Sequence, residues 1–502
     1  MPAQSLRRRC RGHRARPATS RRCRMSEVLV IGAGPAGLAA ARAASDAGAS
    51  VVLLDSSDAL GGQFWRHLPE TRPARNEKYL HHGWSTFRAL GEALESSPTV
   101  TIIRSAQVWA IEVFDGVAVH AVIGEPDGAR RERRVFRPDA LVLATGAHDR
   151  TLPFPGWDLP GVYTGGAAQA LAKGERLAVG ERVVVAGAGP FLLPVAQSLT
   201  RAGSRVIGVL EANRAARLAR GWSPRPWQLL GAAGKGLELA GYAAGHVRHR
   251  IPYRLGRAVI AAHGTDRVES VTVAKVDAQW APIPGTEHTL KVDAVCVSHG
   301  FTPRIELAIA AGCELTPNRF VAVDGNQRTT TDGVYAAGEI TGIGGVDLAL
   351  AEGEIAGHFA AGFATESVSA PPTAAIRRRR AFTGFAHRIE AAHGIRSGWS
   401  DWLTDSTLIC RCEEVDFGSM RAAAAATQSE SFRSLKLGTR AGLGICQGRM
   451  CGRTSEELLC ALNQNRELSD GAMSDRRPLA SPLRIGELAH LSSQKTARKG
   501  TP

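Results

Sequence analysis

The sequence predicts an α/β chain: two doubly wound, parallel-sheet units followed by a small helical domain. Three observations predict it. The run Val28-Leu-Val-Ile-Gly32-Ala-Gly34-Pro-Ala-Gly37-Leu38 takes a strand-length apolar stretch into a glycine turn and an alanine-rich helix, and a second apolar run closes it at Asp55. The pattern returns at Val183-Val-Val-Ala-Gly187-Ala-Gly189-Pro-Phe-Leu192 and ends at Glu211. Four of the nine cysteines then crowd between Cys410 and Cys451.

The totals set bounds on this reading. A chain of 502 residues has room for two or three domains. Apolar content of 44% and charge of 22% are those of an ordinary protein with sizeable cores. No apolar run reaches the ~18 residues of a membrane helix, so no transmembrane segment is expected. The net charge is +15, but residues 1–24 hold nine arginines and no acid, leaving an unremarkable +6 for the rest. That argues against a nucleic-acid partner. Residues 1–24 read as a disordered basic extension, with Met25 as the working start. Arginines before an apolar run imitate a signal peptide, yet removing that run would destroy the first unit. The cytoplasm is the expected location. Seven cysteines lie beyond residue 290, which is not the spread of a secreted disulfide framework.

The first unit carries the G-x-G-x-x-G fingerprint of a dinucleotide-binding βαβ element. Gly32 permits the turn, Gly34 lets the backbone approach a pyrophosphate, and Gly37 lets the helix lie close to the sheet. The helix N-terminus offers free N–H groups and a positive dipole end to phosphates. Asp55, 23 residues after Gly32, is placed to accept hydrogen bonds from a ribose. Gly61-Gly62-Gln63 permits a second close backbone approach. Trp84, Phe87, Leu90 and Leu94 recur at helical spacing as a core stripe. Thr101–Ile103, Gln107–Val113 and Val117–Ile123 suggest a small antiparallel sheet, with Val108 among the cofactor-contacting candidates. A buried strand then exits through Ala144-Thr-Gly146. His148, just past that turn, could face a cofactor, but a turn histidine with no partner in sequence is more often structural. Prolines at 153, 155 and 160 mark a domain crossing.

In the second unit Gly187, Gly189 and Glu211 repeat the spacing, but Leu192 stands at the third glycine position. A leucine there should hold the helix off the strand and weaken nicotinamide binding. The ligand of this unit is left open, a second nucleotide being one reading. Residues 214–255, rich in Arg, Trp and Pro, look like a replaced nicotinamide surface. Cys296 alternates with valines and reads as core. Further on, Val334-Tyr-Ala-Ala-Gly338-Glu339 and a glycine-led helix after Gly345 suit the flavin end of FAD. The acid can bond ribityl hydroxyls, and the helix end can stabilise charge on the reduced ring.

Taken together, these motifs over residues 26–365 resemble the two-dinucleotide-domain flavoproteins related to glutathione and thioredoxin reductases. The fold class expected is therefore α/β, with two Rossmann-like dinucleotide-binding domains plus a small C-terminal helical iron–sulfur domain. Two departures matter. No Cys-x-x-Cys occurs in this region, and Glu339 stands where the family usually has Asp.

The pairs Cys410-x-Cys412 and Cys446-x₄-Cys451, with 33 residues between them, can converge on one centre. Both Zn²⁺ and [2Fe–2S] accept four thiolates, but Cys-x-Cys is unusual for structural zinc. Arg411, Arg440, Arg449 and the glycine-rich approach to Cys446 would offset thiolate charge. The segment resembles the bacterioferritin-associated-ferredoxin-like [2Fe–2S] domain. The whole order is similar to the larger subunits of opine oxidases, D-hydroxyproline dehydrogenases and hydrogen cyanide synthase, and to part of heteromeric sarcosine oxidase.

That resemblance implies an FAD- and [2Fe–2S]-containing, electron-transferring subunit of an amine, imino-acid or opine dehydrogenase. An amino-acid-oxidase-like FAD subunit would be its partner and would process the small amine or imino acid. No catalytic residue is assigned. The competing readings are a self-contained NAD(P)H-dependent ferredoxin-type reductase, which needs a working second unit, and a non-enzymatic iron–sulfur module. The expected division is 25–150 with 293–365 for FAD, 151–292 for the degenerate unit, 366–465 for linker and cluster, and 466–502 as a disordered tail. Arg377–Arg380 and residues 221–227 are candidate partner surfaces.

Overall fold

Glu27–Ile31 pairs in parallel with Ser50–Leu54 on one side and Ala140–Leu143 on the other. Val334–Ala336 and Val100–Ile103 extend the two edges, giving a five-stranded parallel sheet. Both faces are covered, which is why the strands read as continuous apolar runs. Helices Pro35–Asp46 and Val346–Thr365 pack on one face. The antiparallel meander Ala106–Val113, Val117–Ile123 and Glu132–Phe136 packs on the other. The expectation for Thr101–Ile103 is corrected: it is a parallel edge strand beside Val51–Leu54, not part of the meander. A run this short carries no periodicity that could tell the two apart. The computed structural model describes residues 26–489 apart from 70, 73–76, 129, 225, 368–369 and 478. The basic extension 1–24, Met25 and the end of the tail lie outside the described residues.

The two helices on the first sheet touch backbone to backbone. A Cβ on Gly353 would stand 2.1 Å from Ala36 O, and one on Gly357 2.0 Å from Ala40 O. Only glycine permits this approach.

The second unit repeats the plan, with strand order Tyr253–Leu255, Arg205–Glu211, Arg182–Gly187, Ala294–Ser298 and Val162–Thr164. An antiparallel sheet of Arg257–His263, Ser270–Lys275 and His288–Lys291 covers one side. Where the chain crosses between units, Ala147–Asp149 pairs with Phe301–Pro303.

Residues after 372 form a helix, Thr373–His393, that packs along Val346–Thr365 and Ala215–Trp222. Ala392 fills the space beside Gly221, and Trp222 packs on Phe385. The partner surface expected at 221–227 is thus partly covered by this chain's own helix, although Trp227 stays 65% exposed. Arg377, Arg378 and Arg380 lie exposed on the same helix.

The cysteine segment is a short hairpin, Leu408–Cys410 with Val415–Asp416, and three helices, Phe417–Thr427, Phe432–Thr439 and Gly452–Leu462. Its core is continuous with that of the second unit. Trp157 Nε1 donates to Leu408 O at 2.6 Å, and Trp402 Nε1 to Trp280 O at 2.9 Å.

The tail expectation is corrected for residues 466–489, which run back over the body. Ser474 and Asp475 bond Arg319, Ala480 N donates to Trp109 O at 2.8 Å, and Arg131 pairs with Glu487 at 2.7 Å. The polar composition that reads as disorder is consumed by charged partners elsewhere in the chain. Among the described residues no helix is long and apolar enough to cross a membrane.

Candidate functional site

A cleft of about 2550 Å³ runs between the two sheet units. Gly34, Asp55, Gly62, Gln63 and Gly146 line it on the first unit, as do Gly338, Glu339 and Gly345 at its far end. Gly32 and Gly37 lie just beneath this wall. A Cβ at Gly37 would stand 1.7 Å from Gly32 O, so glycine is what lets the helix close on the turn. Gly62 and Gly34 face each other: a Cβ at Gly62 would stand 2.8 Å from Gly34 Cα and fill the cradle. Val108 is not at the wall; it is buried in the core under the meander.

Helix Pro35–Asp46 begins with proline, no side-chain cap and no acid in its first turn. Its N–H groups and positive dipole end therefore stand uncompensated at the cleft. Asp55 Oδ2 accepts from Ala33 N at 2.5 Å and Oδ1 from Ser57 N at 2.7 Å. Burial raises its pKa, against the pull of those N–H groups and of Arg304 and Arg66. Each oxygen keeps a lone pair for a hydroxyl donor. At the far end Glu339 Oε1 accepts from Gly345 N at 2.9 Å, and burial raises its pKa too.

Sequence reasoning missed Glu352. It lies in the helix Val346–Thr365, and its Oε2 accepts from Gly338 N and Thr341 Oγ1, both at 2.8 Å. Burial pushes it up to about 7. The available signal was one acid on the otherwise aliphatic and glycine buried face of that helix.

In the second unit the acid is turned inward. Glu211 has no exposed surface. Its Oε1 accepts from Asn213 N at 3.0 Å and Nδ2 at 2.8 Å, and its Oε2 from Gly189 N at 2.9 Å. Tyr253 OH lies 3.4 Å and His393 Nδ1 3.2 Å from the same Oε2. Trp222 Nε1 can only donate, and it sits 3.3 Å from His393 Nε2. Nδ1 of His393 therefore carries the proton and donates to Glu211. Leu192 is fully buried and opens its helix three residues after Gly189, whereas Pro35 follows Gly34 directly. The second helix end is set back from its glycine turn.

The four clustered cysteines come together as two hydrogen-bonded pairs, Cys410 with Cys451 and Cys412 with Cys446. The Cys451 thiol donates to Cys410, lowering Cys410 to about 6 with help from the N–H groups of Gly442, Glu413 and Cys412. The same bond, with burial, raises Cys451. Cys412 is raised by burial and bonded to Cys446. Among the described residues no three of His, Cys, Asp or Glu converge on a point where they could hold a single ion. The arginines expected to offset thiolate charge are engaged elsewhere. Arg440 pairs with Glu413 at 2.6 Å, Arg449 with Glu306 at 3.0 Å, and Arg411 lies over the Trp157 ring. Within the glycine-rich approach, the Gly442 N–H reaches the Cys410 sulfur. His148 Nε2 lies 3.3 Å from Arg449 O and ties the Gly146 turn to the Cys446–Cys451 loop.

Residues 26–353, spanning both sheet units, match the pyridine nucleotide-disulphide oxidoreductase family. The chain belongs to this family. As a pyridine nucleotide-disulphide oxidoreductase homologue it is a flavin-dependent oxidoreductase, yet its matched region holds only Cys296 and Cys313, both buried and free. It is 33% identical to an opine oxidase subunit of Agrobacterium tumefaciens (strain Ach5), over 94% of this chain and 93% of the relative. It is 31% identical to hydrogen cyanide synthase subunit HcnB of Pseudomonas aeruginosa, over 86% of this chain and 92% of the relative. Among solved structures, L-proline dehydrogenase from P. horikoshii shares the fold, with a TM-score of 0.65 at 20% identity over 94% of this chain and 82% of that one.

Proposed function

We propose that this chain is the electron-transferring subunit of a heteromeric amine, imino-acid or opine dehydrogenase, carrying FAD in the first unit and [2Fe–2S] on Cys410, Cys412, Cys446 and Cys451. The observation that carries it is the pairing of those four thiols beside a flavoprotein cleft. A [2Fe–2S] centre takes two thiolates per iron, and two neighbouring pairs of thiols supply that donor set. Relatives that are by name subunits of an opine oxidase and a hydrogen cyanide synthase match nearly the whole chain, which supports the same reading.

In this reading Gly32, Gly34, Gly37 and Gly62 make room for the FAD pyrophosphate at the helix end, and Asp55 accepts from the adenosine ribose. Gln63 and Gly146 border the same cofactor, whereas Val108, expected to do so, is held in the core behind the wall. Gly338, Glu339 and Gly345 bracket its ring, with the N-terminus of Val346–Thr365 aimed at negative charge there. When bound, FAD takes up electron pairs and the cluster passes single electrons. The FAD domain would comprise 25–150 and 293–365, the degenerate unit 151–292, and the linker and cluster domain 366–465. The partner would be an amino-acid-oxidase-like subunit in the cytoplasm. Gly187, Gly189 and Glu211 are assigned no dinucleotide, because Glu211 is saturated by its own chain; the NAD(P)H-reductase reading loses its site with them.

The test is reconstitution. The chain alone should bind flavin and iron yet fail to reduce a dye with D-hydroxyproline, sarcosine, glycine or opines. Co-expression with an amino-acid-oxidase-like subunit should restore dye reduction. Full activity from this polypeptide alone, with partners excluded by mass spectrometry, overturns the proposal.

A further inference from the structure

The second unit presents two lysines to the cleft, and their surroundings differ. Lys235 is neutralised twice, by Asp347 at 2.7 Å and Glu238 at 2.8 Å. Lys173 is neutralised by nothing among the described residues. It sits in the π-helical turn Leu171–Glu175, a geometry that recurs at functional sites. The residue is only 6% exposed, yet it lines the cleft. Its Nζ donates to Phe64 O at 3.1 Å and lies 5.5 Å from the centre of the Phe64 ring. An ammonium has three N–H bonds, so two are left over.

Among the described residues no carboxylate pairs with Lys173. Glu77, which Arg176 reaches from just beyond the same π-helical turn, is held by Arg176 and His81. The charge that Lys173 does feel is like its own: burial and the Arg201 guanidinium together pull its amine down to about 8. A buried charge without a partner is costly, and folded proteins pair such charges or neutralise them. The counter-charge is missing from the described chain.

We infer that the cleft contains a second binding site, for a small carboxylate, built on the Lys173 ammonium beside Phe64. The ammonium supplies two donors and a full charge, and the Phe64 ring offers an apolar surface for a short alkyl group. Space is not limiting, because the cleft is more than twice the roughly 1,000 Å³ at the upper end of common ligand pockets. This site belongs to the present chain. It depends on flavin in the cleft and on neither the cluster nor a partner subunit.

The experiment titrates acetate and pyruvate into the flavin-loaded full chain and reads the flavin difference spectrum. The wild type should show a saturable change. Lys173→Met should weaken it at least tenfold, and Lys173→Arg should restore most of it, with flavin content equal in all three. Identical titrations in wild type and Lys173→Met, or no response in the wild type, overturn the site. Loss of flavin from Lys173→Met, with or without retention in Lys173→Arg, would mean that the lysine serves the cofactor itself, which also overturns it. Iron content and partner dependence do not enter the readout, so this inference and the subunit proposal fail separately.

Discussion

His393 and Glu211 meet at 3.2 Å, Nδ1 to Oε2, across 182 residues of sequence. The helix that ends in His393 has carried a side chain into the place where the second unit would otherwise offer its acid to a ribose. Trp222 holds the far nitrogen of the ring, so the histidine is fixed from both sides. A dinucleotide would have to displace both contacts.

NADH and NADPH should therefore leave the flavin of the purified chain oxidised in anaerobic stopped-flow mixing. Bleaching within seconds by either would mean that the second unit is open after all.

Gly34→Val should place a branched side chain in the cradle facing Gly62. The variant should fold, by circular dichroism, but retain less than a tenth of the wild-type flavin absorbance. Normal flavin content in a folded Gly34→Val protein would remove the first unit from the cofactor assignment.

Anaerobic preparations should contain about two irons and two acid-labile sulfides per chain, as a [2Fe–2S] centre requires. Serine at Cys410, Cys412, Cys446 or Cys451 should abolish both. Serine at Cys460 should not, and Cys313, bonded to Thr329, should likewise be dispensable for iron. Zinc without sulfide would refute the cluster.

Glu352 holds its proton more tightly in the folded chain than its ordinary value of 4.5 implies, titrating at about 7. Between those values the native state binds the extra proton, so stability is full below the window and falls as pH rises through it. The fall attributable to this group is on the order of 3 kcal/mol. Glu352→Gln keeps an acceptor for Gly338 N and Thr341. Denaturant midpoints from pH 5 to 8 should lose that decline in the variant; the same slope in both proteins would show that Glu352 does not titrate there.

Arg319 binds Asp475 at 2.5 Å, Glu456 at 2.7 Å and Ser474 Oγ at 2.8 Å, and both carboxylates are buried. Arg319→Ala should leave the buried Glu456 without its ion-pair partner and Asp475 with only Arg453 at 3.3 Å, and cost roughly 3–5 kcal/mol. Limited proteolysis should then cut within 466–489 well before the rest of the chain. Unchanged protection would show that Ala480 and Glu487 hold the segment without Arg319.

Much of this architecture was legible because the signals are local. An apolar strand, a glycine turn and an alanine-rich helix force the first unit within some thirty residues, and Cys-x-Cys with Cys-x₄-Cys announces a thiol cluster. What stayed hidden depends on contacts distant in sequence. That Cys410 pairs with Cys451 rather than with Cys412 follows from how two loops meet. The burial of Glu352 depends on the Gly338 turn, and the isolation of Lys173 depends on where Glu77 and Arg176 go. Nothing near residue 393 signals that its histidine closes a turn at residue 189. The polar stretch after 466 reads as disorder because the arginines that anchor it, at 131 and 319, lie far back in the chain.

The glycine contacts that join Pro35–Asp46 to Val346–Thr365 have one more consequence. Backbone notched against backbone leaves neither helix free to slide or tilt on its own. The two positive helix ends at the cleft, one at Gly34 and one at Gly345, are therefore held at a single spacing by the protein before any ligand arrives. A cofactor with charge to place at both ends meets a preorganised gauge, and the ordering cost of setting that distance falls on folding rather than on binding.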